Sequence, residues 1–307
     1  MARDHEAEVI VIGGGPAGLS AAIYLARYGR SVALFDVGHG RSTHHQVNRN
    51  YLGFPGGIRT TELRERGLDQ LRAYDHVYLG HHKVAHLDRA DDGFVASGQF
   101  GSAHGRAAIL ATGVLDHYPH FRDWESYVGV SMFWCITCDG YESRGKKIVV
   151  AGHTNEAAGE AMQMTRLSDD ITLITNSHVN EIDERFAARL AAAGIPVLHD
   201  KIHTAEGADG QLHVLETTGG LQLPVESLFV VQGATPQIDL ARMLDVQLAG
   251  NGYILVDTEQ KTSVEGVYAA GDLTQLHSHQ VSAAVHEGAQ AASAANYFLY
   301  PDELTDD

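Results

Sequence analysis

Cys135 and Cys138 are the only cysteines in the 307-residue chain, and they stand two residues apart in the stretch SMFWCITCDGYE. Thiols at that spacing can close a structural disulfide, supply half of a metal site, or form a redox pair that exchanges electrons with something bound nearby. A four-thiolate zinc site needs a second cysteine pair, and the chain has none. At a helix start, the dipole lowers the pKa of one thiol, so that a thiolate is available near neutral pH. The other common metal ligand is abundant, with 19 histidines. Doublets at His44-His45 and His81-His82 and a near-doublet at His277-His279 nevertheless lack HExxH or any comparable ligand spacing, and no metal is expected.

The net charge is −17, with 39 acidic against 22 basic residues. Nucleic acid and anionic membrane surfaces both need Lys and Arg to neutralise phosphates, so neither is an expected partner. No apolar run is long enough to span a bilayer. The N-terminal MARDHEAEVIVIGGGP enters an apolar strand almost at once, without the basic start, long apolar stretch and cleavage site of a signal peptide. A cytoplasmic location is expected, where a permanent disulfide scaffold is disfavoured and a CxxC reads first as catalytic or metal-binding.

The elements that must position this pair follow from hydrophobic pattern. Val9 to Ile12 is a continuous apolar run of the kind that forms a central parallel strand. Ala17 to Arg27 carries apolar residues at helical spacing, and Val32 to Phe35 is a second strand ending at Asp36. A similar unit begins at Lys147, with strands Ile148 to Ala151 and Ile171 to Ile174 around a helix through Arg166. Two further apolar runs end in turns, RAAILATG (106–113) and GVYAAGD (266–272), and HQVSAAVHEGAQAASAANYFLY follows as a long helix of small residues. The expected fold is α/β, two Rossmann-like three-layer domains.

Gly13, Gly15 and Gly18 form GxGxxG directly after a strand and before a helix. The first permits a tight turn, the second lets a pyrophosphate approach the backbone, and the third lets helix and strand pack closely. Asp36, about twenty residues on, stands where a carboxylate accepts hydrogen bonds from a ribose hydroxyl. The motif alone does not separate NAD from FAD.

GGGPAGLSAA, NYLGFPGG, ILATG, CITCDG, RGKKIVV and GVYAAGD occur in an order and at a spacing that resemble the flavoproteins with two dinucleotide-binding domains, and among them the thioredoxin reductase group. The likeness covers nearly the whole chain. It implies FAD over Gly13, Gly15, Pro16, Ala17 and Gly18, with its ribose on Asp36, its ribityl chain on Asp272 after Gly271, and Asn50 approaching the flavin ring. Thr112 and Gly113 would lie at the end of a neighbouring strand. Gln280 and Val281 would open a helix whose amides face the pyrimidine side of the flavin, where reduction leaves negative charge. The family's usual Arg before that Gln is His279 here. Cys138 would face the flavin, Cys135 would exchange with a substrate disulfide through a mixed disulfide, and Asp139 would shuttle the proton. The resemblance also implies a homodimer. It further implies a discontinuous FAD domain (1–114 and 239–307), with the Cys-bearing, NADPH-domain-like module (115–238) inserted on two hinge strands. His277, His279 and His286 are candidates for lining the opening near the flavin.

The second nucleotide turn departs from the family. In VVAGHTNEAAGEA, Gly152 survives, His153 replaces the next glycine, and Glu156 puts a like charge in the first helical turn. Thr175, Asn176 and Ser177 stand where basic residues would pair with the 2′-phosphate of NADPH. The expected activity is a thioredoxin reductase-like disulfide reductase working without NADPH. Its substrate would be a thioredoxin-like protein or a small disulfide, and its donor another carrier such as ferredoxin. Arg122, Arg144, Lys146 and Lys147 offer a local basic patch for such a carrier. The alternatives are a dithiol oxidase passing electrons to oxygen, an NADPH-dependent thioredoxin reductase, and a non-catalytic flavin sensor. Trp134 and Asp139 stand where the oxidases usually carry His, and Asp139 favours the reductase direction.

Overall fold

The computed structural model describes residues 3–44, 47–276 and 279–301. His45 and His277, named above, lie outside them. The chain divides into two compact units, one of Met1–Thr43, Arg59–Leu115 and Pro236–Asp307, the other of His44–Ile58 and Asp116–Thr235. Residues 44–58 thus group with the unit that carries the cysteines. Arg49 Nε lies 3.4 Å from Glu142 Oε1, and Asn50 Nδ2 lies 3.8 Å from Cys138 Sγ.

The first unit is built on a five-stranded parallel sheet, in the order Val267–Ala269, Ala107–Leu110, Val9–Ile12, Val32–Phe35 and Val77–Gly80. The strand Val9–Ile12 is buried along its whole length, which explains its unbroken apolar run. Alternate residues serve opposite layers. Val9 and Val11 join the core beneath the helices Pro16–Arg27, Thr60–Arg72 and Val281–Phe298, whereas Ile10 and Ile12 join Leu87, Phe94 and Ala103 from a four-stranded sheet.

The second unit repeats the plan. Its parallel sheet runs Met132–Phe133, Ser227–Val230, Ile148–Ala151, Ile171–Ile174 and Val197–Leu198. The helices Asn155–Met164 and Glu184–Ala192 bury Ala157, Ala161, Met164 and Leu190 on one face. An antiparallel three-stranded sheet packs Leu212 and Leu215 on the other. The helix expected to run through Arg166 ends at Met164, and Thr165 caps it. Strand segments Val114–Asp116 and Ala234–Pro236, where the chain passes between units, pair with each other.

The small-residue helix Val281–Phe298 packs against Pro16–Arg27 with no room for a side chain at the crossing. A Cβ on Gly288 would fall 2.1 Å from the Ala17 carbonyl oxygen. Gly288→Ala is therefore expected to destabilise the first unit by about 2–3 kcal/mol, read as a lower urea midpoint at unchanged slope.

Candidate functional site: an open glycine turn and a Cys-x-x-Cys disulfide

The GxGxxG turn is shaped by backbone contacts. Gly13 has φ +110°, and a Cβ there would sit 2.2 Å from the Ala111 carbonyl oxygen; one on Gly18 would sit 1.8 Å from that of Gly13. Gly15 differs, because a Cβ there would meet nothing within 4 Å. It is the N-cap of Pro16–Arg27, no side chain caps the helix, Pro16 occupies its first turn, and no acidic residue lies there. Ala17 and Gly18 are buried behind it. The turn therefore presents main-chain donors and partial positive charge to an open space, which suits a pyrophosphate.

Asp36 is held in place from three sides. Its Oδ1 accepts the Gly14 N–H at 3.1 Å, and its Oδ2 accepts the Gly38 N–H at 3.1 Å and a close ion-paired bond from Arg64. Asp272 is paired with Arg41 at 2.9 Å. Gly271 donates its N–H to the buried Glu287 at 2.6 Å, and burial pushes the Glu287 carboxyl up from its ordinary range. Thr112 and Gln237 exchange reciprocal bonds at 2.7 and 2.6 Å, next to Gly113 with φ +67°. Gln280 is the N-cap of the helix that Val281 opens, again with no acidic residue in its first turn. The residues named from sequence in this unit lie at strand ends and helix starts, a donor set whose chemistry fits FAD. Arg41, Arg64 and Glu287 were not anticipated.

In the second unit, Cys135 and Cys138 form a disulfide across the single-turn helix Ile136–Asp139, of which Cys135 is the N-cap. The Cys138 N–H donates to Cys135 Sγ at 3.1 Å, a bond that would favour a thiolate on Cys135 after reduction. Asp139 is buried immediately after the pair, with its N–H bonded to the Cys135 carbonyl at 3.1 Å. Asn50, expected against the flavin, offers its amide to Cys138 Sγ within this unit. Among the described residues no group of three or more His, Cys, Asp or Glu could hold a metal, and no helix is long and apolar enough to cross a membrane.

The second nucleotide turn is bonded to the segment that leads into the helix Glu184–Ala192. Asn155, first residue of its helix, donates from Nδ2 to Asp183 Oδ2 at 3.0 Å and accepts the Asp183 N–H at 2.9 Å. The Glu181 N–H bonds the His153 carbonyl at 2.7 Å. Glu156 occupies the first helical turn. Past the strand Ile171–Ile174, Thr175 is buried, and Asn176 (φ +48°) is committed to Gln232 and to the Ile202 N–H. Ser177 accepts the Val179 N–H. Burial and then the neighbouring Glu156 push Glu160 up to about 7.

Two three-layer βαβ units, one with an open glycine turn and the other with a Cys-x-x-Cys disulfide, define a flavin-dependent disulfide oxidoreductase. The model of the pyridine nucleotide-disulphide oxidoreductase family matches residues 7–288, and the chain belongs to that family. It is a thioredoxin reductase-like, FAD-dependent enzyme acting on a sulfur group. The thioredoxin reductase of Treponema pallidum (strain Nichols) is 30% identical over 309 residues, covering 97% of this chain and 98% of the other. The thioredoxin reductase of Streptococcus pyogenes MGAS5005, 24% identical, shares the fold with a TM-score of 0.89 over 97% of this chain and 99% of its own. The atypical thioredoxin reductase TRi of Desulfovibrio vulgaris Hildenborough is 34% identical, with a TM-score of 0.52 over 94% and 97%.

Two measurements probe these contacts. Asn50→Ala should slow iodoacetamide alkylation of reduced Cys138 at pH 7 about threefold, as a lost amide donor lowers the thiolate fraction. The folded Glu160 holds its proton to about pH 7 against 4.5 for the free group, so its contribution to stability falls as pH rises between those values. Glu160→Gln should be level with the parent at pH 4.5 and about 1–2 kcal/mol more stable at pH 8 by urea unfolding.

Proposed function

We propose that this chain moves two electrons between FAD and the Cys135–Cys138 pair, and from there to the disulfide of a thioredoxin-like protein or a small molecule, without drawing hydride from NADPH. The observation that carries the last clause is the paired Asn155–Asp183 contact across the second nucleotide turn. Glu156, Glu181 and Asp183 place carboxylates around a helix start that would have to receive a pyrophosphate, and residues 175–183 contain no Lys or Arg for a 2′-phosphate. The family name includes a pyridine nucleotide; the residues here do not fit one.

FAD, when bound, supplies the two-electron couple. The protein holds it with the Gly13–Gly18 turn, Asp36, Asp272 and the Gln280–Val281 helix start. Two electrons and two protons convert the Cys135–Cys138 disulfide to a dithiol, and Asp139 carries a proton as thiol and thiolate interconvert. Cys135 thiolate attacks one sulfur of the substrate disulfide, forming a mixed disulfide and releasing one substrate thiolate. Cys138 thiolate then attacks Cys135 Sγ, restoring the internal disulfide and releasing the second thiolate. The electrons entering the flavin come from a carrier other than a pyridine nucleotide, with a ferredoxin-type one-electron protein as the leading candidate. By the same family reasoning the enzyme works in the cytoplasm as a homodimer.

Anaerobic stopped-flow absorbance tests this. A hundredfold excess of NADPH or NADH should leave the flavin band intact over seconds, whereas a reduced ferredoxin or dithiothreitol should bleach it. Bleaching by NADPH within milliseconds would return the chain to the NADPH-dependent class. Rapid peroxide release during aerobic dithiol turnover would favour the oxidase direction.

A further inference from the structure

A groove of about 560 Å³ opens in the second unit beside the disulfide. One wall is Ile136 and Thr137, the two residues between the cysteines; the other is the outer side of the Asn155–Met164 helix and its C-terminal turn, with Met162, Gln163, Arg166 and Leu167. Its size falls among small-ligand clefts of roughly 300–1,000 Å³, enough for a short peptide segment and too small for a folded partner. Ile136, Met162 and Leu167 give it an apolar bed. Arg166 is the one ionisable side chain on its lining. That guanidinium is exposed and forms no ion pair with a described residue. Asp169 and Asp170 follow in sequence but do not line the groove.

The surroundings reinforce this charge. The Gly145 N–H bonds the Leu167 carbonyl at 2.9 Å and Ser168 Oγ bonds the Lys146 carbonyl at 2.6 Å, which sets the Arg144–Lys146 stretch alongside Arg166. Arg144 lies over the exposed Tyr141 ring at 3.7 Å. In a chain of net charge −17, the groove thus carries a cation on the same lining as the two residues that separate the cysteines.

We infer that this groove is a substrate subsite, which receives an acidic, partly apolar peptide segment flanking the disulfide of a protein substrate. The carboxylate would meet Arg166 while the apolar side chain rests on Met162 and Leu167, with the substrate sulfurs presented to Cys135. The assignment rests on the thiol-exchange reading above, and it adds what that reading lacks: a basis for choosing among disulfides. Overall repulsion between two acidic proteins would slow unselective encounters, and the local cation would favour the correct orientation.

The test uses the oxidised holoenzyme and two fluorescein-labelled cyclic disulfide peptides, identical except for glutamates or lysines flanking the cystine. By fluorescence anisotropy at 50 mM salt, the glutamate peptide should bind about fivefold or more tightly than the lysine peptide, and 500 mM salt should shrink the difference. Arg166→Glu should reverse the preference. Gly159→Leu should weaken both peptides by partly filling the groove; a Cβ at Gly159 meets only Phe186 Cε1, at 3.9 Å, so the fold can accept it. Equal binding of the two peptides, or a preference unchanged by Arg166→Glu, overturns the assignment, as does tight binding of a free anionic disulfide with none of the glutamate peptide. Single-turnover oxidation of photoreduced enzyme by each peptide is scored separately. If neither peptide is reduced, the thiol-exchange reading fails whatever the binding result.

Discussion

The first unit depends on main-chain atoms approaching more closely than any side chain would allow. Gly18 stands over the Gly13 carbonyl, Gly13 over that of Ala111, and Gly288 over that of Ala17. These contacts bring a strand end, a helix start and the C-terminal helix to one place. Only then can the Gly15 turn lie open with its helix uncapped by any side chain. The apolar strands and the alanine-rich helices provide burial, but burial is non-directional. The glycine contacts determine that the layers meet at this spacing and not a methyl group wider.

The second unit keeps the architecture and alters the electrostatics. Both units run a buried parallel strand into a helix start, and both put Gly residues against a carbonyl at the turn, Gly152 against Val231 in the second case. At Gly15 the helix start faces open space with no acid in its first turn. At Asn155 it is bonded to Asp183 and followed by Glu156. Two units of like fold thus differ in the residues at their helix starts, an instance of chemistry residing in the site instead of the scaffold.

Much of this was legible in the chain. Gly13, Gly15, Gly18 and Asp36 could be read because the backbone geometry of a dinucleotide turn restricts which residue types fit, and the cysteine spacing directs attention to one helix start. Contacts set by tertiary packing were not legible. Arg41 reaches Asp272 across 231 residues of sequence, and nothing around Arg41 announces a partner. Glu156 reads directly as an obstacle to an anion, whereas the Asn155–Asp183 pair joins residues 28 apart and leaves no motif. Family likeness puts Asn50 against the flavin; its contact with the Cys138 sulfur depends on residues 44–58 grouping with the second unit.

The Asn155–Asp183 pair also ties two helix starts together. Asn155 opens one helix and Asp183 is the N-cap of the next, and two reciprocal bonds join them through side chain and main chain alike. A substitution at either residue is therefore felt at both helices, and the effects of changing the two would not add.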